Sequence, residues 1–245
     1  VRPGKGASSD AQSGRKRSGA NVALSLKRGR KQSKTTMSAI VELVVIVLVA
    51  LGLALGIQAW IVKPYRIPSG SMEPTLAIGQ RVLVNRIGMH FGKPHVGEIA
   101  VFHPPEDAQE TTGGPAKCGP TPHVVVDGTV ACEQPVPTEA SVNFIKRIVA
   151  GPGDEIYIRE GHVFRRAAGQ RSFTPEKDSY IRPCAEKDPR CNFPTPIRIP
   201  ADHYFMMGDN RGESDDSRFW GPVPTGWIVG GAFATYWPPD RIGTL

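Results

Sequence analysis

Between Leu43 and Val62 the chain carries one strongly polar residue, Gln58. Coiled as an α-helix, such a run is roughly 30 Å long, the thickness of a bilayer's hydrocarbon core. No face of it is polar, which argues against a helix lying on a soluble core. The span predicted from this pattern is 37–62. A cleaved secretory leader would have a shorter apolar stretch and end in small residues; this run is too long, and Ile57-Gln58-Ala59 is a poor cleavage site. Trp60 and Tyr65 suit the far interface, where aromatic rings with one polar edge settle.

The charge distribution orients the span. The formal net charge of +7 is concentrated before it: residues 1–36 hold ten Lys and Arg and a single acid, Asp10. Only Lys63 and Arg66 stand just beyond the run. The positive-inside rule therefore puts the N-terminus in the cytoplasm and everything after about residue 63 outside. The stretch 1–36 is rich in Ser, Gly, Lys and Arg and poor in apolar residues, so it is expected to be a disordered basic tail. The basic pI belongs to that tail, which weakens any nucleic-acid reading of the whole protein.

The part outside, 63–245, reads as mainly β. Strands are predicted at 80–85, 98–102, 143–150, 155–159, 162–165, 203–207 and 227–236, from short apolar or alternating runs bounded by Gly, Pro and Asp. Two Pro-rich stretches, at about 104–140 and 166–200, read as insertions; the first is expected to hold a hairpin near 124–130 turning on Asp127-Gly128. All four cysteines lie beyond the span, where disulfides are permitted. Cys118–Cys132 and Cys184–Cys191 are the favoured pairs, because each encloses a short Pro-rich loop. A zinc site is disfavoured, since there is no Cys-x-x-Cys and none of the six histidines has metal-ligand spacing.

Three stretches could carry chemistry. Pro68-Ser69-Gly70-Ser71-Met72-Glu73-Pro74-Thr75-Leu76 has prolines that disfavour helix, so it can present a serine on an extended or turned backbone; it could equally be a polar loop leaving a membrane helix. In the strand Asn143–Val149, alternation sets Lys146 on one face between Phe144 and Ile148. Burial would lower its pKa and fit it as a general base for a serine, although a lysine snorkelling from a half-buried strand has the same pattern. The third stretch, Gly208–Arg218, follows the apolar run Tyr204–Met207 and is dense in polar groups. Asn210 and its acids can close local turns, Asp216 and Arg218 are placed to pair, and a serine there could orient a buried amine. A solvated acidic loop is the plain alternative.

Taken in order, with Gly97-Glu98-Ile99-Ala100-Val101-Phe102, Gly151-Pro152-Gly153-Asp154 and Trp237-Pro238-Pro239-Asp240-Arg241-Ile242-Gly243, these motifs resemble those of bacterial type I signal peptidases over nearly all of residues 40–245. The resemblance implies a signal-peptidase/LexA-like β-sheet catalytic domain anchored by one N-terminal transmembrane helix in the cytoplasmic membrane. It implies a Ser/Lys endopeptidase that removes signal peptides from exported preproteins without a cofactor or metal. By motif position, Ser71 would be the nucleophile and Lys146 the general base. Ser69 would assist the Ser71 N–H in an oxyanion hole, and Ser214 would orient the Lys146 amine. Asp216 and Arg218 would brace the site, while Asp209, Asn210 and Arg211 would shape its loop. The implied partners are preprotein signal peptides with small residues at −1 and −3, bound as an added strand, and the lipid bilayer. The secretion translocon is a neighbour to be considered, and nucleic acid is not implied.

The sequence departs from the family pattern in three ways. Phe144 stands where Tyr is common, Gly212-Glu213 replaces a pair such as Asp-Asn, and neither the 104–140 insertion nor the two cysteine pairs are required by the pattern. The alternatives are another Ser/Lys protease of LexA-like fold, disfavoured by the span and by the lack of a helix-turn-helix in 1–36, and a non-catalytic membrane-anchored β-domain that binds a partner through its cysteine-bearing loops.

Overall fold

A computed structural model describes residues 32–88, 92–109, 118–119, 129–134 and 136–245. The expected disordered tail falls mainly, and the hairpin near Asp127-Gly128 almost wholly, outside the described residues, as does the Trp60 side chain. Helix α1 spans Gln32–Trp60, and within it Met37–Ile57 is long and apolar enough to cross a membrane. Its large apolar side chains from Met37 to Ile57 are exposed. The helix stops at Trp60, short of the predicted end at 62, because Val62 already begins a strand.

The remainder is built on two antiparallel sheets. Strands β1 (Val62–Arg66), β2 (Arg81–Asn85), β3 (Ile99–Phe102), β4 (Phe144–Ala150), β9 (His203–Met207), β10 (Val223–Pro224), β11 (Ile228–Trp237) and β12 (Gly243–Thr244) form the larger sheet. Its order is β1-β2-β11-β3-β4-β9-β10, with β12 also on β11. The smaller sheet has the order β7-β6-β5-β8, from β5 (Glu155–Arg159), β6 (His162–Arg166), β7 (Thr174–Pro175) and β8 (Phe193–Arg198).

The central strands are buried on both faces, which explains why they read as continuous apolar runs rather than as alternating ones. In β3, Ala100 and Phe102 pack with Ile148, Met206 and Trp220, while Ile99 and Val101 face Ile67, Met72, Leu76 and Val84. In β9, Tyr204 and Met206 join the first of these clusters. Phe205 and Met207 turn the other way, towards Ile156, Ile158, Val163 and Phe193 of the smaller sheet. Each such side chain, fully buried, contributes roughly 1.5–3 kcal/mol.

Strands β1, β7, β8, β10 and β12 were not expected from the sequence. Strand β8 lies in the 166–200 stretch that reads as irregular, because Pro194 and Pro196 lack the N–H that an interior strand needs. It ends the smaller sheet beside β5, where its Thr195 is bridged to Val130 and donates its N–H to Thr129 O at 3.1 Å. The end strands β1, β7 and β10 also carry a proline each, Pro64, Pro175 and Pro224, at positions where the sheet does not need the N–H. Both favoured cysteine pairs, Cys118–Cys132 and Cys184–Cys191, are bonded.

Candidate active site

The segment after β1 makes a tight excursion. Ile67 N–H donates to Gln80 O and Gly79 N–H to Ile67 O, both at 2.8 Å, so the loop closes on itself. Ser69 is extended, and Gly70–Met72 form one 3₁₀ turn. Met72 and Leu76 are fully buried and anchor the turn, leaving Ser71 at its inner side with 8% of its surface exposed.

Strand β4 carries Lys146, 5% exposed, opposite Ala100 of β3. Its Nζ lies 2.6 Å from Ser71 Oγ. The Phe144 ring centroid is 5.7 Å from the amine and adds apolar cover. Burial pulls the Lys146 pKa down from 10.5 to about 8. The charges of Asp216, Asp215 and Asp209 act in the opposite direction and Arg218 adds to the fall, but loss of hydration dominates. Serine and amine are thus in direct hydrogen-bond contact, with the amine within reach of neutrality near physiological pH.

The loop after β9 encloses this pair. Gly208 passes so close to Ser71 O and Ser214 Oγ that a Cβ there would collide with both. Asn210 N–H donates to Ser71 O at 3.0 Å, and Asn210 Nδ2 donates to Gly70 O at 3.2 Å, so the loop grips the turn by its backbone. Asp216 and Arg218, both without exposed side-chain surface, pair through Nε (2.7 Å) and Nη2 (2.9 Å). Burial alone would raise the Asp216 pKa; the Arg218 charge and hydrogen bonds, with the Gly208 N–H, outweigh it and hold the carboxyl below its ordinary value. Arg218 also donates to Ser214 O at 3.0 Å, tying down the residue beside Gly208.

Asp209 and Arg211 anchor the loop outward. Asp209 accepts from Arg147 Nε at 2.9 Å and Nη2 at 2.7 Å, and from Thr75 Oγ1 at 2.6 Å. Arg211, 1% exposed, donates through Nη1 to Gly161 O, and burial lowers its pKa. Two cavities meet at the Ser71–Lys146 pair and share Ser69, Ser71, Phe144 and Lys146. One of about 330 Å³ is apolar and runs between the end of β1 and the start of β4, past Ile67, Pro68 and Ile145. The other, about 470 Å³, is bounded by Ala108, Glu213 and Asp215.

Residues 40–237 match a family model described as signal peptidase, peptidase S26. The chain belongs to this signal peptidase family. It is 36% identical over 204 residues to the probable signal peptidase I-1 of Synechocystis sp., covering 83% of this chain and 86% of that one. Signal peptidase I of Leptolyngbya laminosa is 35% identical, with 79% of this chain and 77% of that one covered. The chloroplastic thylakoidal processing peptidase 1 of Arabidopsis thaliana is 32% identical over 74% of this chain and 43% of its own length.

Within this family member, the residues singled out from the sequence gather round one point, with two qualifications. Ser69 Oγ is 3.5 Å from Ser71 Oγ and the residue is exposed. Ser214, expected to bond the Lys146 amine, is enclosed with its Oγ lacking any partner at full hydrogen-bond geometry; its hydroxyl lies by Asp216 and helps hold that carboxyl below its ordinary value. Sequence reasoning missed Arg147, Thr75 and Ala108 as parts of the site. Arg147 carried a signal, being a charged residue on a strand otherwise apolar on that face; Ala108 carried none.

Proposed function

We propose that this signal peptidase acts as a membrane-bound serine endopeptidase in which Ser71 is the nucleophile and Lys146 the general base. The observation that carries the reading is the 2.6 Å contact between Lys146 Nζ and Ser71 Oγ in a buried setting. The neutral amine takes the Ser71 hydroxyl proton as Oγ attacks the scissile carbonyl carbon. The Ser71 N–H and the Ser69 hydroxyl donate to the oxyanion, which develops only during attack. The Lys146 ammonium then returns its proton to the leaving amine, and the C–N bond breaks. A water molecule, deprotonated by the same amine, hydrolyses the acyl-enzyme and restores Ser71. Ser214 supports the amine during turnover, and the Asp216–Arg218 pair holds the loop that carries Ser214.

With a pKa of about 8, half of the amine is neutral at that pH. Lowering it from 10.5 costs on the order of 3 kcal/mol, set against a base that needs no second residue to activate it. The substrate is the signal peptide of an exported preprotein. Its extended chain lies in the apolar cavity between β1 and β4, where main-chain hydrogen bonds give affinity and the cavity walls favour small side chains before the cut. The basic N-terminal stretch supports an orientation with the N-terminus cytoplasmic and cleavage on the outer side of the cytoplasmic membrane.

Cleavage of a purified preprotein by the full chain in detergent micelles tests this. Ser71→Ala and Lys146→Met are each expected to abolish cleavage with the thermal transition retained. Equal cleavage by wild type and Lys146→Met would show the dyad to be wrong.

A further inference from the structure

Residues 176–191 take no part in the chemistry set out above, yet they touch both halves of the site. The stretch leaves β6 by two ties: Glu176 N–H donates to Val163 O at 2.9 Å, and the Asp178 carboxylate meets His162 Nδ1 at 2.8 Å. Its far end is closed by the Cys184–Cys191 disulfide, and Arg190 Nη2 donates to Gly212 O at 2.7 Å. Between these anchors Arg182 runs parallel to Asn210 as a single β-bridge. Arg182 N–H donates to Asp209 O at 2.8 Å, and its carbonyl accepts from Arg211 N–H at 3.1 Å. Arg182 Nη1 also pairs with Glu73, two residues after Ser71, at 3.1 Å. The Tyr180 ring lies 3.9 Å from the Arg147 guanidinium carbon, stacked on the group that grips Asp209.

The loop after β9 is therefore held on two sides. Its inner side bonds Ser71 O and Gly70 O; its outer side bonds Arg182. A loop bonded on one side alone would be free to shift its grip on the turn. A displacement of about 1 Å is enough to cost on the order of a hundredfold in rate when reacting groups must be aligned.

We propose that Tyr180 and Arg182 are positioning residues, and that segment 178–184 is a strap fixing the loop of Asp209 and Asn210 against Ser71. They touch neither substrate nor reacting atoms. They act through Arg147–Asp209 and through the backbone of Asn210, and the inference rests on Ser71 and Lys146 being the dyad. Tyr180 closes the open face of Arg147, so that Arg147 can offer its edge only to Asp209 and to Gly97 O. Arg182 ties the same loop to the nucleophile segment through Glu73.

Steady-state cleavage of a preprotein by the full chain in detergent, with kcat and KM separated and Tm recorded for each variant, tests the strap. Tyr180→Leu is expected to lower kcat about tenfold with KM within about twofold of wild type, while Tyr180→Phe, which keeps the ring, retains wild-type kcat. Arg182→Glu is expected to lower kcat about threefold, and adding Glu73→Arg to restore it, an effect kept small by the exposure of that pair. The proposal is overturned if Tyr180→Leu and Arg182→Glu leave kcat unchanged, or if their losses merely follow Tm and recur in Tyr180→Phe and in the charge-swapped double variant. Cleavage that survives Ser71→Ala would overturn instead the dyad beneath it.

Discussion

Arg147 grips both carboxylate oxygens of Asp209 from the face of β4 opposite Lys146. Adjacent strand residues point to opposite sides, so one two-residue step of β4 supplies the proposed base and the anchor of the loop that surrounds it. The Asp209 side chain is fully buried and that of Arg147 is 11% exposed, so the pair is screened little by solvent.

Removing one partner of such a pair strands the other charge. Asp209→Ala is expected to cost about 3–5 kcal/mol, read as a lower urea midpoint with an unchanged slope. Its loss of Thr75 as well as Arg147 should make it costlier than Thr75→Val, which removes a single hydrogen bond worth about 1 kcal/mol.

Activity should follow the neutral fraction of Lys146. Because only the deprotonated amine can accept the Ser71 proton, kcat/KM is expected to rise with pH, reach half its maximum near pH 8 and level off above it. Below pH 4 cleavage should be negligible. A profile flat from pH 5 to pH 9 would contradict a buried lysine base.

Stability should carry the same signature. The folded-state pKa lies below the unfolded value of 10.5, so between about 8 and 10.5 the unfolded chain binds more protons at this residue and stability rises with pH. Below about 8 the cost of the buried amine is fully present. Lys146→Met is expected to remove this residue's part of the rise. Denaturant unfolding of the two proteins at pH 8 and pH 10 should show wild type gaining on the variant as the pH increases.

Gly208 is held to glycine by proximity. Gly208→Ala drives a methyl group into Ser71 O and Ser214 Oγ, and the backbone must shift to admit it. A destabilisation of about 1–3 kcal/mol is expected, with a fall in kcat beyond what the unfolded fraction explains.

Ser214→Ala separates stability from catalysis. The Ser214 hydroxyl is enclosed and has no partner at full hydrogen-bond geometry, so its removal is expected to change stability by less than about 1 kcal/mol. If the hydroxyl supports the amine only during turnover, kcat should fall while Tm holds. Equal kcat in the variant would remove Ser214 from the mechanism.

Much of this architecture was legible in the chain. Strands β2 to β6, β9 and β11 announce themselves because they are apolar or alternating and are bounded by Gly, Pro or Asp. Ser71, Lys146 and the Gly208–Arg218 loop, which the fold brings together, were singled out by their type, order and spacing, and both disulfides by loop length. What stayed hidden depends on long-range contact. Strand β1 is masked by the end of the apolar run, and β8 by Pro194 and Pro196. The contacts of Arg147 with Asp209 and of Arg182 with Asn210 join segments far apart in the chain, which no local pattern records. Ser214 was the opposite case: motif position suggested a bond to the amine, whereas its hydroxyl lies by Asp216 without a partner at full hydrogen-bond geometry.

The prolines at the sheet margins bear on a hazard peculiar to an enzyme of unfolded polypeptides. A bare strand margin is a template on which any extended chain can pair, including another copy of the protein. Pro64, Pro175 and Pro224 remove donors from the outer strands β1, β7 and β10, and on β8 the Thr195 N–H is already taken by Thr129 O at 3.1 Å. An extended chain is thereby denied a continuous ladder at those margins.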